Sequence, residues 1–259
     1  MKSKFLLLSL AAALLLTGCG TKSEPSAHSH GNTTGASPQG GTFLNSAIPA
    51  DVLALPLFDA NGKSFTLSSL AGKYIVITNF LTSCQEICPM TTANMRDIAA
   101  AVNKTELKDK VAVVEISVDA GRDNAARLKA YQDLFNDNSF TLASGTEKNL
   151  AALWKYFGAP GQKMDIDAKE AATMPVDWLT GKPSTYDVMH PDLVVIVSPQ
   201  SEWRWLDLGS PKSNGVIPAK LKAFLTDEGL TNLVTPEEPS WSPKAVFYAL
   251  EQLSGVAIK

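Results

Sequence analysis

Two cysteines separated by three residues are the most reactive pair in the chain. Cys84 and Cys88 lie in the segment Thr-Ser-Cys-Gln-Glu-Ile-Cys-Pro. Pro89 donates no backbone N–H and is tolerated in a helix only in its first turn, so a helix is predicted to begin near Cys88. The partial positive charge of a helix N-terminus favours a thiolate. Both sulfurs therefore suit either thiol–disulfide exchange or the binding of a soft metal ion.

His190 is the third residue of chemical interest, because it is the only histidine in the region that we expect to fold. Cu(I) prefers soft sulfur ligands, and imidazole suits both oxidation states of copper. We therefore predict that Cys84, Cys88 and His190 form a copper site. A redox role for the two cysteines alone remains an alternative.

The N-terminus has the features of a targeting segment. Lys2 and Lys4 precede an apolar stretch over residues 5–16, which is too short to span a bilayer as a helix. The sequence Leu-Thr-Gly-Cys that follows resembles the lipobox of bacterial lipoproteins. We predict a signal peptide over residues 1–18 and a lipid-anchored, extracytoplasmic protein that begins at an acylated Cys19.

Assigning Cys19 to lipid leaves Cys84 and Cys88 as the only free thiols of the mature chain. A stabilising disulfide usually closes a long loop, and the loop between these two residues is very short. Their spacing therefore favours redox or metal chemistry over a structural role.

Residues 19–43 are rich in Gly, Ser, Thr and Pro, and we expect them to form a flexible tether. His28 and His30 lie in this tether, where solvation is a better explanation than metal binding. The formal net charge is -3 and no basic stripe is present, so nucleic acid is not an expected partner. We expect a monomer.

Hydrophobic periodicity predicts strands that alternate with helices over residues 44–230. The expected elements are a hairpin formed by residues 52–58 and 64–67, strands at 74–80, 111–118, 193–197 and 203–208, a short edge strand at 140–143, and helices at 90–103, 124–135, 147–157 and 218–226. This order predicts an α/β fold with a central mixed sheet flanked by helices. In a thioredoxin-like sheet of this kind, the strand after His190 neighbours the strand that leads to the cysteines.

Two segments depart from this alternation. Residues 158–185 contain several Pro and Gly without a clear period, and we interpret them as an insertion loop. Residues 231–259 begin with three prolines and end in an apolar periodic stretch. We expect a linker followed by a C-terminal helix that packs on the domain.

Over residues 53–224 the chain resembles the Sco/SenC family. The resemblance is carried by three motifs: Cys-Gln-Glu-Ile-Cys-Pro at 84–89, Ile-Ser-Val-Asp at 116–119 with Arg122 and Asp123, and Tyr-Asp-Val-Met-His at 186–190. It implies a thioredoxin-like fold, copper bound by Cys84, Cys88 and His190, and delivery of copper to the binuclear copper site of cytochrome c oxidase. The partner it implies is the copper-bearing oxidase subunit or another copper protein.

The chain departs from the family pattern beside the histidine, where Met189 and Pro191 replace the usual Asp and Ser or Thr. Such neighbours orient a ligating imidazole. We expect Met189 to serve in packing rather than as a thioether ligand, and Glu86 to be solvated or to support the ligands from behind. The rim residues Asp119, Arg122 and Asp123 are expected to have structural roles in their loop. Two other functions remain open: a thiol–disulfide oxidoreductase that reduces cysteines of an envelope target, and, ranked last, a thiol peroxidase.

Overall fold

The computed structural model describes residues 34–214 and 216–258. The predicted signal peptide, the lipid-attachment residue Cys19 and the histidines His28 and His30 lie outside this range. Within it, no helix is both long and apolar enough to cross a bilayer.

The secondary structure alternates between strands and helices along most of the chain. In chain order the strands are β1 (Gly35–Ala36), β2 (Thr42–Ala47), β3 (Leu57–Asp59), β4 (Ser64–Phe65), β5 (Tyr74–Phe80), β6 (Val111–Ser117), β7 (Thr141–Gly145), β8 (Gln162–Asp165), β9 (Tyr186–Met189), β10 (Leu193–Val197), β11 (Glu202–Leu208), β12 (Ser210–Pro211) and β13 (Ser240–Trp241). The helices are α1 (Ala50–Leu53), α2 (Cys88–Val102), α3 (Ala125–Phe135), α4 (Glu147–Phe157), α5 (Ala168–Ala171), α6 (Ala219–Lys222), α7 (Asp227–Asn232) and α8 (Pro243–Ser254), and a 3-10 turn covers Leu67–Leu70.

The described residues form one large mixed sheet with the strand order β1-β2-β11-β10-β5-β6-β7-β3-β4. Strands β5, β6 and β7 are parallel, whereas β10 runs antiparallel to β5. The carboxyl end of β5 and the amino end of β10 therefore meet at one edge of the sheet. This is the predicted mixed sheet flanked by helices, with the cysteine loop after β5 and His190 before β10.

Both faces of the sheet are buried, because apolar side chains on successive residues point to opposite sides. Val76 and Phe80 of β5 pack with α2, α3 and α8 on one face. Ile75 and Ile77 of the same strand pack with α1 and α4 on the other. The near-continuous apolar stretch of β5 follows from this two-sided burial.

Three parts of the fold differ from the sequence-based expectation. The sheet begins at Gly35 rather than after residue 43, because β2 pairs with the otherwise open edge of β11. Residues 52–58 include the end of a short helical turn and only the first two residues of strand β3. Strand β7 is an interior strand and not an edge strand, since β3 pairs with its outer side.

The segment 158–185 is also more ordered than a loop. Its strand β8 forms an antiparallel ribbon with β9, immediately before His190. Asp177 and Trp178 at its far end are buried. The segment is held in place by the contacts of these side chains with the rest of the domain, and not by a regular hydrophobic face that periodicity would reveal.

The C-terminal segment packs on the domain as predicted. Trp241 and the apolar face of α8 belong to the larger of the two cores. The Tyr74 hydroxyl at the start of β5 donates a 2.7 Å hydrogen bond to the Leu253 carbonyl. The helix is thus tied to the central strand of the sheet.

Candidate copper site

The cysteine loop connects β5 to α2, and Cys88 is the first residue of that helix, as the position of Pro89 predicts. The Cys84 sulfur accepts hydrogen bonds from the backbone N–H groups of Ile87 and Cys88, each 3.4 Å long. The Cys88 sulfur accepts one of the same length from the Leu81 N–H. The helix N-terminus therefore supplies the N–H groups that stabilise negative charge on Cys84.

The two thiols differ in exposure and in pKa. Cys84 is half-buried, whereas Cys88 is 1% exposed, and no disulfide joins them. The hydrogen bond with Cys88 lowers the pKa of Cys84, and backbone N–H groups lower it further against the opposing effect of burial. Burial, and then the hydrogen bond and charge of Cys84, raise the pKa of Cys88 well above its usual range. Cys84 is therefore the sulfur that ionises first.

His190 is positioned by a buried asparagine of β5. The Asn79 side chain donates 2.7 Å to the Pro191 carbonyl and accepts 3.3 Å from the Leu193 N–H, which fixes the orientation of its amide. The same amide nitrogen lies 3.0 Å from Nδ1 of His190. Asn79 thus connects the strand that leads to the cysteines with the segment that carries the histidine.

Nδ1 of His190 has partners for either tautomer. Asn79 can donate to it when it is unprotonated, and the Pro191 carbonyl, 3.3 Å away, and the Asp192 carboxyl, 3.5 Å away, can accept from it when it carries the proton. The second tautomer leaves the lone pair on Nε2. Asp192, two residues after the histidine, therefore offers the acceptor that is missing at Met189.

Burial lowers the pKa of His190, against the opposing effects of the Pro191 carbonyl and Asp187. Its ring therefore stays neutral down to a lower pH than the ring of an exposed histidine does. A neutral imidazole is the form that binds a metal ion. Burial, and then the charge of Glu86, raise the pKa of Asp192 to about 7.

Cys84 and His190 line one cavity of about 200 Å³ at this edge of the sheet. Glu86, Arg122 and Met174 also line it. Cys88 does not, because its sulfur lies beneath the loop. Within the described part of the chain, no three His, Cys, Asp or Glu side chains are gathered closely enough to be a ready-made metal site.

The family described as SCO1/SenC matches residues 54–224. This match covers well over half of the chain. The chain belongs to the SCO1/SenC family. The match includes the cysteine loop, Asn79 and His190, and it ends before α7 and α8.

Individual relatives match shorter stretches. A Stutzerimonas stutzeri protein provisionally described as copper-binding is 29% identical over 120 residues, which is 43% of this chain and 58% of that protein. A SCO2-like protein of Rickettsia felis is 31% identical over 101 residues, or 39% of this chain and 48% of that protein. This SCO1/SenC chain thus spans about half the length of the curated relatives it matches.

Solved structures support the thioredoxin-like fold. The crystal structure of a SCO1/SenC family lipoprotein from Bacillus anthracis matches with a TM-score of 0.51 and 21% identity. The match covers 66% of this chain and 90% of that chain. The arrangement of the sheet and its helices is therefore shared with that protein.

In this SCO1/SenC chain the segment 158–185 holds the cysteine loop from one side. The Gln85 side chain donates 2.7 Å to the Pro175 carbonyl, and the Trp178 indole donates 2.7 Å to the Thr82 carbonyl. Gln85 lies between the two cysteines. The insertion therefore fixes the backbone on which the cysteines are carried.

A buried ion pair supports the same contact. Arg127 of α3 donates to Asp177 with two nitrogens and to the Thr82 hydroxyl with a third. Burial tends to raise the pKa of Asp177, but hydrogen bonds from Arg127 and Thr180 lower it to about 2. Asp177 is therefore ionised at neutral pH and keeps the insertion attached to the domain.

Of the three rim residues predicted to be structural, Asp123 has the clearest contacts. It is fully buried and accepts from the Thr82 hydroxyl at 2.5 Å and the Ser117 hydroxyl at 2.6 Å. Asp119 and Arg122 form an ion pair, and Arg122 also donates 2.9 Å to the Tyr186 carbonyl. These contacts hold the loop after β6 and the ribbon strand β9 in place.

Helix α7 holds the cysteine loop from the other side. The Thr226 N–H donates 3.0 Å to the Gln85 carbonyl. Gly229 is packed so tightly that a Cβ added there would lie 2.3 Å from the Gln85 carbonyl oxygen. Sequence reasoning missed both this contact and Asn79, because the partners are distant in sequence and no local pattern marks them.

The expectation that Met189 serves in packing is wrong. Its side chain is 60% exposed, since it lies on the outer face of the β8–β9 ribbon while its neighbour Val188 is buried. Glu86 is exposed as expected. Partial desolvation by the protein around its carboxyl, and then the charges of Glu228, Asp187 and Glu237, raise the pKa of Glu86.

Proposed function

We propose that this SCO1/SenC protein is a copper chaperone in which Cys84, Cys88 and His190 bind the ion. The observation that carries the proposal is the arrangement at the edge of the sheet. A thiol of lowered pKa and a buried, neutral imidazole face one cavity, and a second thiol lies just beneath. Two thiolates and an imidazole match the ligand preferences of copper.

The chain's own groups would act in a definite order. Cys84 and His190 reach the cavity, so they engage the cargo ion first. Cys88 must give up the hydrogen bond from the Leu81 N–H when its sulfur binds the ion. Because its pKa is high, Cys88 holds a proton beforehand and releases it on binding. When His190 binds through Nε2, its Nδ1 proton is held by the Pro191 carbonyl or Asp192.

The proposed recipient is the copper-bearing subunit of cytochrome c oxidase, or another copper protein. The family membership and the description of the Stutzerimonas stutzeri relative as copper-binding support this proposal. We further propose that Cys19 is lipidated and anchors the protein outside the cytoplasm. The lipobox-like sequence at residues 16–19 supports the anchor.

Copper stoichiometry tests the chaperone function. The reduced full chain is expected to bind one Cu(I) or one Cu(II) tightly, and Cys84→Ser, Cys88→Ser and His190→Ala should each weaken binding by roughly tenfold or more. Ser83→Ala, which removes a neighbouring hydroxyl without a hydrogen-bond partner, is the control. The proposal fails if all three ligand variants retain the affinity of the unmodified protein.

The pKa difference between the thiols specifically favours a second candidate, a thiol–disulfide oxidoreductase. Cys84 would attack a disulfide of an envelope target and form a mixed disulfide with it. Cys88 would then attack the Cys84 sulfur and release the target as a thiol. Electrons pass from the two thiols to the target disulfide, so Cys84 and Cys88 end as a disulfide and the target as two thiols.

His190 distinguishes the two functions. An oxidoreductase should keep most of its disulfide-exchange rate in His190→Ala and lose it in either cysteine variant. A chaperone should lose copper affinity in all three variants. Measuring both properties on the same set of proteins separates these outcomes.

A further inference from the structure

The methionines in the described part of the chain fall into two groups with opposite environments. Met90 and Met95 in α2 are fully buried, as expected for core residues. Met189 is 60% exposed, Met164 is 41% exposed, and Met174 is half-buried. The second group all lies in or beside the segment 158–185. Core packing does not explain these three thioethers.

The ribbon of β8 and β9 directs Met189 outward beside the histidine. Residues that pair across an antiparallel ribbon share a face, and here Gln162 pairs with Met189 and Met164 with Asp187. The opposite face carries Val188, which is buried. Met189 therefore lies on the solvent side of the ribbon, directly before His190, and it lines the cavity shared by Cys84 and His190.

Met174 lines the same cavity and belongs to the segment 158–185 that precedes β9. Its neighbour Pro175 is fixed by the hydrogen bond from Gln85, the residue after Cys84. The Met174 side chain lines the cavity together with Met189, whereas Met164 does not line it. Two thioethers thus line the cavity, one from the segment 158–185 and one from β9.

The charges around the cavity favour a cation. Glu86 and Asp187 line the cavity. Among the described residues, Arg122 is the one Arg or Lys side chain that lines it, and Arg122 is paired with Asp119. Thioether sulfur is a soft, neutral ligand that selects Cu(I) over harder ions.

We propose that Met174 and Met189 form a transit site through which Cu(I) enters and leaves the cavity, an inference that rests on the proposed function. On entry, a bond from a methionine sulfur to the ion replaces a bond from the donor's ligand, and Cys84 then replaces the methionine. Copper stays Cu(I) throughout. The thioethers take up and release no proton, and Cys84 and Cys88 each give the proton of the thiol form to water when they bind. Delivery reverses these steps.

A transit site predicts an effect on rate with little effect on affinity. Met174→Leu/Met189→Leu keeps side-chain volume, so the fold should be retained. Removal of Cu(I) from the loaded full chain by bathocuproine disulfonate, and loading from the same chelator, should both slow by about tenfold, which corresponds to ~1.4 kcal/mol in barrier height. Met164→Leu, an exposed methionine of the same ribbon outside the cavity, should exchange Cu(I) at the unmodified rate.

Methyl NMR tests binding directly. In Cys84→Ser/Cys88→Ser protein labelled with methionine 13C-methyl groups, adding Cu(I) should shift the Met174 and Met189 signals and leave Met164 unchanged. Unshifted Met174 and Met189 signals, or an unchanged exchange rate in the double leucine variant, would overturn the transit site. Failure of the proposed function looks different, because the unmodified chain would then bind no more Cu(I) than the double serine variant.

Discussion

At the scale of single residues, the environment of each cysteine sets its role. Cys84 lies at the cavity and accepts N–H hydrogen bonds from the start of α2, whereas Cys88 is sealed beneath it with a raised pKa. Each sulfur therefore influences the ionisation of the other. A reagent or metal ion that enters the cavity meets Cys84 first.

Alkylation should follow this order. Cys84→Ser is expected to lower the initial rate of iodoacetamide modification at pH 7 by about tenfold or more, because thiolate is the reactive form and Cys84 has the lower pKa. Cys88→Ala should leave fast modification of Cys84, although the pKa of Cys84 should rise when the hydrogen bond from Cys88 is lost. Mass spectrometry of time points identifies the modified residue. Faster labelling of Cys88 would contradict the assignment.

The chemical residues were predictable from sequence, but their positioning partners were not. Cys84, Cys88 and His190 stand out by type and spacing. Asn79 looks like an ordinary residue within an apolar strand, and its role depends on the pairing of β5 with β10. The exposure of Met189 likewise depends on the β8–β9 ribbon, which the irregular sequence of the insertion did not indicate.

At the scale of elements, the site depends on contacts between segments that are short or irregular in themselves. The cysteine loop lies between the 175–178 segment and α7, and Gln85 is hydrogen-bonded to Pro175 on one side and to Thr226, the N-cap of α7, on the other. Helix α7 is too short to be stable alone. Its close packing at Gly229 therefore matters more than its helical propensity.

Gly229→Ala should disturb the site without touching a ligand. The new Cβ would lie 2.3 Å from the Gln85 carbonyl oxygen, so either the loop or α7 must move. Overpacking of this kind costs about 1–3 kcal/mol in free energy of unfolding. Denaturant unfolding should show that loss, and Cu(I) affinity should fall with it. Thr231→Ala, on the exposed side of the same helix, should change both by little.

Glu115 of β6 should make the protein less stable as the pH rises. Burial raises its pKa to about 8, and only one of its carboxyl oxygens has a partner, the Thr92 hydroxyl. A carboxyl whose folded pKa exceeds its unfolded value contributes stability that is fully present below the unfolded pKa and is lost as the pH rises toward the folded one. The affected window therefore runs from about pH 4.5 to about pH 8.

Glu115→Gln removes this titration and keeps the shape of the side chain. The free energy of unfolding of the unmodified protein, minus that of Glu115→Gln, should fall by up to about 1.4 kcal/mol per pH unit within that window. Urea unfolding at several pH values measures the difference. A difference that stays constant across the window would show that Glu115 ionises normally.

At the scale of the whole molecule, the C-terminal helix is part of the domain core although it lies beyond the family match at 54–224. Val246, Ala249 and Leu250 of α8 are completely buried in the larger core. The helix covers the face of the sheet that α2 also covers. The alternation of strands and helices predicted the central sheet, and the apolar period of α8 predicted that it would pack.

Leu250→Ala should therefore cost about 2–5 kcal/mol in free energy of unfolding, as for other buried leucines. Leu230→Ala, where the side chain is 40% exposed, is the matched control and should change stability by no more than about 0.5 kcal/mol. Thermal and denaturant unfolding measure both variants. Equal, small effects would mean that α8 is not part of the cooperative unit.

What the sequence did not predict is the pairing of strands at and near the edges of the sheet. The inclusion of β1 and β2 in the sheet and the interior position of β7 both follow from partners that are far away in sequence. Local periodicity carries no information about which edge of a sheet is covered.

The hydrogen bonds that hold the cysteine loop have a consequence for the order of events during folding. They join Gln85 to Pro175, Thr82 to Trp178 and Gln85 to Thr226, over sequence separations of 90, 96 and 141 residues. Contacts over such separations form late, because each closes a long loop. A chain that emerges N-terminus first therefore presents both cysteines well before the residues that hold them. Until residue 229 has arrived, the thiols are open to oxidation or to stray metal, and the geometry around them is set only when folding is complete.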